Sequence, residues 1–552
     1  MSNQEATALK EMPGGAGRES DSVQTLDALI VGAGFSGLYA LHLLRKQGLS
    51  VRAYEAGDDI GGAWYWNRYP GARCDSESEI YCYSFSDEIL QEWEWTERFP
   101  DQAEILEYFD FVDSKLDLRK DVQFNTRIDA GDFDPDTSRW TIRLDDGKLV
   151  SVKYLVLSCG VLTAASTPDF KGLDQFKGKV IHTSQWPHEG VDFTGQDVGI
   201  VGTGSSGVQA VPVIAEQARH LTVFQRTPAF YIPARNVPMD PEQWRKIKET
   251  YSEMWEKAKH MPMGIPYDRD PRSAFDLTPE EREDFFETRW QEGGNKFLRT
   301  SFRDVGTDKA ANDVVVEYLH RKIREAVDDP VIAEKLIPKG FPVGTKRVCT
   351  GTDYLEAFNR DNVTLVDVKS SPIQEITKDG VKTGDEEYKI DCLVLATGFD
   401  AMTGAFTRID LRGLEGSTLK EKWEDGAKTY LGIMTAGFPN MFMVTGPQSP
   451  SALCNVPTAI EQHVEWITDC INYMQTGGHS TIDANPGAEK EWGEHCTELG
   501  NQTLFPQTDS WYMGANIPGK PRDFLVYIGG LDKYRDLCDE VAASGYKSLQ
   551  LA

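Results

Sequence analysis

The chain is 552 residues long, 40% hydrophobic and 26% charged, and its 87 acidic residues outweigh 58 basic ones to leave a formal net charge of −29. That length and mix predict two or three globular domains, and the negative field argues against nucleic acid and anionic membrane surfaces as partners, which it would repel. Nine cysteines, an odd number with no C-x-x-C pair, predict neither a disulfide scaffold nor a zinc or other metal site.

Residues 1–22 are rich in Gly, Glu and Ser and read as a disordered tail. No basic stretch leads into an apolar one there, and no run of 18 apolar residues occurs. Neither a secretory leader nor a membrane span is expected, and a cytoplasmic protein is. Residues 26–31 then form an apolar strand ending in Gly32-Ala-Gly34-Phe35-Ser36-Gly37. Helical spacing follows over 38–44, Gly48 stops the helix, and a second strand at 51–54 ends in Glu55. Gly32 permits the turn, Gly34 lets the backbone approach a pyrophosphate, and Gly37 lets helix and strand pack closely. The helix start at Phe35 and Ser36 offers N–H groups and partial positive charge. Glu55, 23 residues after Gly32, stands where an acid accepts hydrogen bonds from a ribose diol.

Residues 61–75 (Gly61-Gly62-Ala-Trp64-Tyr-Trp-Asn-Arg-Tyr69-Pro-Gly-Ala-Arg-Cys-Asp75) are too rich in Gly and rings for regular structure and predict a long functional loop, a lid over the nucleotide. Residues 89–120 read as helical and 122–157 as a meander. Within it, 140–144 and 149–152 pair through an Asp-Asp-Gly turn, and 154–160 is a separate buried strand.

Residues 176–187, Phe176-Lys-Gly178-Lys-Val-Ile-His182-Thr-Ser-Gln-Trp186-Pro187, read by themselves as a short surface crossing whose aromatics pack locally. A second fingerprint follows: strand 198–201, Gly202-Thr203-Gly204-Ser205-Ser206-Gly207, helix 208–218 and strand 221–225. Here Arg226 stands 24 residues after Gly202, in place of the acid, and a guanidinium suits a 2′-phosphate. The first unit is therefore expected to bind FAD and the second NADPH.

Residues 232–334 interrupt the second unit with a charged, helix-rich insertion, where Thr278-Pro-Glu-Glu281 starts a helix. Lys346-Arg347 alone reads as solvated surface charge. An apolar strand runs into Ala396-Thr397-Gly398, which marks the return to the first domain in two-dinucleotide flavoproteins. The loop holding Ser451, Ala452 and Leu453 lies at a helix start and could line the flavin or the substrate pocket, and Trp511–Arg522 is an aromatic, Gly/Pro-rich segment. The fold class predicted is α/β: two dinucleotide-binding, Rossmann-like domains with a helical insertion. The expected boundaries are 23–160 with 393–552 for FAD, 161–231 with 335–392 for NADPH, and 232–334 for the insertion.

The stretch from Phe176 to Pro187 fits F-x-G-x-x-x-H-x-x-x-W-P, and that from Gly61 to Asp75 fits G-G-x-W-x-x-x-x-[FY]-P-G-x-x-x-D. With the paired fingerprints, the chain resembles type I Baeyer–Villiger monooxygenases of the phenylacetone, steroid and cyclohexanone type over residues 25–545. The resemblance implies an NADPH- and oxygen-dependent flavin monooxygenase. It would insert one oxygen beside a ketone carbonyl, through a flavin peroxide, to give an ester or lactone. It implies that the 61–75 loop wraps the flavin, with Gly62, Trp64, Tyr69 and Tyr81 among its contacts and Asp75 near the reactive ring. Thr397 and Gly398 would belong to the cofactor sites as well. NADPH would meet Thr203, Gly204, Ser205, Ser206, Gln209, Arg226, Thr227 and Lys346, with Trp511 contacting the nicotinamide. Arg347 would be catalytic, held by Asp75, and Phe176, Gly178, His182, Trp186 and Pro187 would serve domain motion. The implied partners are O2 and a cyclic, aromatic or steroid-like ketone, and the implied state is a monomer or weak oligomer. An N- or S-oxygenating flavin monooxygenase is the rival reading, opposed by Trp186-Pro187 and Asp75. A flavin disulfide reductase would need a redox cysteine pair.

Overall fold

The computed structural model describes residues 23–384 and 386–552, so the tail predicted at 1–22 lies outside the described residues. The first sheet has eight strands. Its parallel heart runs Val122–Gln123, Val51–Tyr54, Gln24–Val31, Leu149–Leu157 and Met441–Met443. Gln24–Val31 starts exposed and is buried over its last four residues, so the first glycine turn emerges from the core. The helix Phe35–Lys46 packs between this sheet and the 22-residue helix Val456–Gly477. The strand expected at 154–160 is the second half of Leu149–Leu157. That strand lies parallel to Gln24–Val31 along nearly its whole length. It alternates where the meander pairs on its other side and is wholly buried from Tyr154 on, where Met441–Met443 takes the meander's place, so one strand shows two patterns.

The second sheet is all parallel, in the order Val363–Asp367, His220–Gln225, Asp197–Val201, Cys392–Leu395, Lys179–His182. Two expectations change here. Residues 176–187 are not a plain surface crossing: Lys179–His182 is the edge strand of this sheet, with His182 in register with Leu395. Four residues are too few to show a strand period. The domain boundary expected at 392/393 cuts through Cys392–Leu395, and the chain leaves this sheet only after that strand.

Two further segments differ from the sequence reading. The 61–75 loop contains one helical turn, Ala63–Trp66. The helical stretch expected over 89–120 is two helices, Asp87–Glu92 and Gln102–Leu116, separated by Pro100 and by Asp101, whose carboxylate caps the second. The insertion divides its loyalties. Its helices Pro241–Glu249 and Tyr251–Lys259 press Trp244, Tyr251 and Trp255 into the core of the first unit. Pro279–Glu292, which starts on a full Thr278–Glu281 capping box, and Lys309–Ala326 build a separate core of Phe285, Phe286, Trp290 and Tyr318. Among the described residues no helix is long and apolar enough to cross a membrane, and no cluster of His, Cys, Asp and Glu could hold a metal.

Candidate active site

The first glycine turn is backed by the long loop. A Cβ on Gly34 would meet the Cα of Gly62 at 3.2 Å, and one on Gly62 would meet the Cα of Gly34 at 2.7 Å. The two backbones can therefore touch only as glycines, and a side chain at Gly34 would drive the loop away. Phe35 turns its ring into an aromatic core with Tyr81, Tyr83, Tyr108 and Phe109, so only its main chain can face a phosphate. Ser36 donates from Oγ to the Ser158 carbonyl at 3.3 Å. Glu55 is buried and accepts one N–H on each oxygen, from Ala33 at 2.9 Å and Gly57 at 2.8 Å. Its remaining lone pairs are all it can offer a ribose. Trp64 donates its indole N–H to the Tyr81 hydroxyl at 2.9 Å.

At the second turn a Cβ on Gly204 would meet nothing within 4 Å, so the helix start at Ser205 and Ser206 faces open space. That is the cradle a pyrophosphate needs. Thr203 donates to the Thr227 carbonyl at 3.1 Å, and Ser205 lies 3.7 Å from the Cys349 sulfur. Burial, then the charges of Arg226 and Lys369, push the Lys346 ammonium below its ordinary pKa. Its Nζ donates to the Asp509 carbonyl at 2.7 Å. Three cations thus gather at the end of the second unit's strand, where a 2′-phosphate would need them. The residues of both units fit the dinucleotides expected of them.

Tyr69 and Gln209, expected on the two cofactors, spend their side chains on each other. The Tyr69 hydroxyl donates to Gln209 Oε1 at 2.8 Å, and Gln209 Nε2 donates to the Arg73 carbonyl at 2.9 Å. Tyr69 is packed in the core of the second unit although its loop belongs to the first, so this is a joint between the units.

The closing residue of the loop meets a partner 272 positions away. Arg347 donates from Nε and Nη2 to the same Asp75 oxygen, at 3.0 and 2.5 Å, and each side chain keeps about a quarter of its surface exposed, 29% and 24%. Burial alone would raise the Asp75 pKa, but the Arg347 charge and hydrogen bonds, with Arg299 behind them, hold it below the usual carboxylate range. Burial opposes the Arg347 charge too, and Asp75 and Tyr512 overcome it. The pair is charged at any working pH. Arg347 Nη1 reaches the Ala452 carbonyl at only 3.3 Å, which brings the loop of Ser451, Ala452 and Leu453 onto the guanidinium. Thr445, Gln448 and Ser451 in that loop hold positive φ (54°, 64°, 38°), a conformation non-glycine residues adopt at a cost. Trp511 lies against Tyr512, tilted by 32° with 3.9 Å between ring centroids. Sequence reasoning passed over Tyr512, Asn295 and Arg299. Nothing in their spacing marks them, and only the folded insertion brings the last two here.

His182 is 7% exposed and burial lowers its pKa, so it is neutral. Its Nδ1 lies 2.7 Å from the Ser184 hydroxyl and accepts the Ser184 N–H at 3.1 Å; its Nε2 lies 3.3 Å from the Thr397 hydroxyl. Thr397 donates to the Ser166 carbonyl at 2.6 Å, which leaves its oxygen to accept an Nε2–H. Trp186 is buried beside Phe193 in the second unit's core, and Phe176 borders the core behind Phe224. Gly178 fits against the Asp391 carbonyl, which a Cβ would approach to 2.2 Å. Gly398 follows Thr397 with φ of 78°. A separate cleft of about 800 Å³, lined by residues such as Asp425, Glu489, Glu494 and Asp523, shares Gln448 with the loop but holds none of the site residues expected from the sequence.

Two nucleotide-type sheets, one parallel at its heart and one throughout, each with its glycine turn, and a charged pair formed between the two units define a two-dinucleotide flavoprotein monooxygenase. A profile of flavin-binding monooxygenase-like proteins matches residues 27–237. A Baeyer–Villiger monooxygenase of Pseudooceanicola batsensis is 43% identical over 95% of this chain and 96% of its own. An acetone monooxygenase (methyl acetate-forming) of Gordonia sp. strain TY-5 is 41% identical over 96% and 100%. A solved structure of an oxidised steroid monooxygenase bound to NADP superposes with a TM-score of 0.91 at 46% identity, covering 96% of this chain and 99% of that one. The chain belongs to the Baeyer–Villiger monooxygenases.

Proposed function

We propose that the protein uses NADPH and O2 to insert one oxygen atom beside the carbonyl of a ketone, giving an ester or lactone, with Asp75 and Arg347 as its charge centre. A bound FAD, reduced by NADPH, supplies the activated oxygen. Everything else falls to the chain. The two glycine turns seat the dinucleotides, Arg226 and Lys346 select the 2′-phosphate, and the joint between Tyr69 and Gln209 holds the units around them.

The observation that carries the reading is the 2.5 Å contact of Arg347 with Asp75 beside the 451–453 loop. Baeyer–Villiger chemistry concentrates negative charge first on oxygen and then on the former carbonyl oxygen. A fixed cation in a water-poor site stabilises both far more than it could in water. One edge of the guanidinium, Nε with Nη2, is anchored on Asp75, and the weakly held Nη1 is free to turn from the Ala452 carbonyl to an oxyanion. Asp75 itself stays ionised and takes no proton. The substrate is a cyclic, aromatic or steroid-like ketone, met by Ser451, Ala452 and Leu453. A cytoplasmic site of action is supported by nine free cysteines, eight of them buried.

The test is a panel of such ketones, with sulfides and tertiary amines alongside, run with NADPH while product and NADPH loss are followed together. Esters or lactones from ketones are expected. Sulfoxides or N-oxides as the efficient products, with ketones untouched, would assign the protein to heteroatom oxygenation.

A further inference from the structure

The helical insertion holds none of the expected site residues, yet one turn of it reaches the charged pair. Asn295, at the start of the short helix Lys296–Arg299, is 7% exposed. Its Nδ2 donates to the main-chain carbonyl of Asp75 at 2.8 Å, and its Oδ1 accepts from the Thr350 hydroxyl at 3.1 Å. Thr350 lies in the strand Cys349–Gly351, just past Arg347. One carboxamide therefore spans the two chain segments that carry the ion pair. Its orientation is unambiguous, because the reverse would point an oxygen at the Asp75 carbonyl oxygen.

The span is rigid at its root. Gly294 donates its N–H to the Pro233 carbonyl at 2.9 Å, and Tyr231–Pro233 is the strand paired with Cys349–Gly351. Arg299, at the end of the same turn, adds a charge that favours ionised Asp75. Its Nη1 is buried with no hydrogen-bond partner among the described residues. An ion pair fixes how far a carboxylate lies from a guanidinium, but a long arginine arm can follow a displaced aspartate. A bridge from the Asp75 main chain to the Thr350 side chain, three residues past Arg347, fixes where the pair sits.

We propose that Asn295 is a positioning residue for this reaction, setting the separation of the Asp75 loop from the Arg347 strand so that Nη1 faces the reacting atoms. The proposal rests on the reading of Asp75 and Arg347 as the charge centre. A buried asparagine that only packs would, when removed, lower stability and flavin content and leave the chemistry per bound flavin alone.

The experiment uses the full flavin-loaded chain as Asn295→Ala, Thr350→Val, Thr350→Ser, the double variant Asn295→Ala with Thr350→Val, and Arg347→Ala. Ester formed per NADPH oxidised, hydrogen peroxide, flavin content and Tm are read together, and crystal structures give the Asp75–Arg347 geometry directly. Asn295→Ala and Thr350→Val should each cut kcat for ester about ten- to a hundredfold and raise peroxide, as a small misplacement of catalytic groups does. The KM for ketone should hold, and the fork should be shifted or turned in the crystal. Thr350→Ser, which keeps the hydroxyl, should match wild type. The double variant should be no worse than the worse single one, because both cut the same bridge. Should Asn295→Ala fail to fold, Thr350→Val decides. Wild-type coupling in the bridge variants beside an inactive Arg347→Ala would reduce Asn295 to packing, as would lost coupling with the pair unmoved. Wild-type ester yield in Arg347→Ala would instead remove the underlying reading.

Discussion

Both donors that Arg347 gives to Asp75 fall on one carboxylate oxygen, and only a planar fork can do this while keeping a third N–H in reserve. Arg347→Ala should keep its flavin and go on consuming NADPH, but lose about 10²–10³ in ester formation, the usual cost of removing a preorganised charge-stabilising group. The oxygen should then appear as hydrogen peroxide, measured by peroxidase assay. Arg347→Lys should recover little, since an ammonium cannot hold Asp75 and an oxyanion along the same two directions. Wild-type ester yield in the alanine variant would move the role to another cation, Lys346 first. Arg226 is exposed, and its effect is confined to the phosphate it would meet. Arg226→Ala should raise the KM for NADPH about ten- to a hundredfold and leave NADH unchanged; equal loss for both would reject the 2′-phosphate assignment. At this scale the sequence alone said little. Lys346-Arg347 is indistinguishable from surface charge by spacing, and the meeting with Asp75 across 272 residues came to notice through family resemblance. Asn295 and Arg299 carried no signal, because a polar side chain's function is set by what tertiary folding places opposite it.

The helix Val456–Gly477 covers the first nucleotide helix and carries Glu461 into the interior, 1% exposed. Burial, only partly offset by the Ser84 N–H and hydroxyl, raises its pKa from the ordinary 4.5 to about 7, with Glu465 adding to the rise and Lys259 opposing it. A carboxyl raised on folding stabilises the fold fully below its unfolded value and loses that contribution as pH climbs through its folded value. The window is therefore pH 4.5 to about 7, and the displacement is worth about 3 kcal/mol. Asp483 and Asp523, both raised by burial to about 6, act in the same direction. Glu461→Gln should thus melt higher than wild type at pH 8, with the gap closing by pH 5. A wild type that gained no stability on the way from pH 8 to pH 5 relative to the variant would show that Glu461 ionises freely. Legibility at this scale followed length. The glycine fingerprints were plain because strand, turn and helix each obey a local rule. The four-residue edge strand Lys179–His182 and the turn Ala63–Trp66 were not, because neither is long enough to carry a period and both are stabilised by neighbours distant in sequence.

At the scale of the whole molecule, two units must hold together while two cofactors and a ketone occupy the space between them. One joint is Tyr69 with Gln209; another lies at His182, in the signature that sequence reading left as a crossing. His182 ends the edge strand of the second sheet. Through Thr397 it touches the first residues past Cys392–Leu395, where the chain leaves that sheet for the first unit. Its ring is neutral and both nitrogens are engaged: Ser184 occupies Nδ1 and Thr397 lies against Nε2. A base with no free nitrogen cannot take a proton from substrate, so its contribution is to hold the crossing segment in register. His182→Ala should therefore retain flavin and the KM for ketone, yet turn over more slowly, as a role of this segment in domain motion requires. The pH–rate profile should keep its shape, because burial already keeps this histidine neutral and it takes no part in proton transfer. His182→Asn, whose amide can still donate toward Thr397, should recover part of the rate. A variant with wild-type turnover would leave His182 as a packing residue, and one that lost an ionisation near pH 6 to 7 would make it an acid–base catalyst after all. Steady-state rates from pH 6 to 9 on the flavin-loaded enzyme distinguish the three.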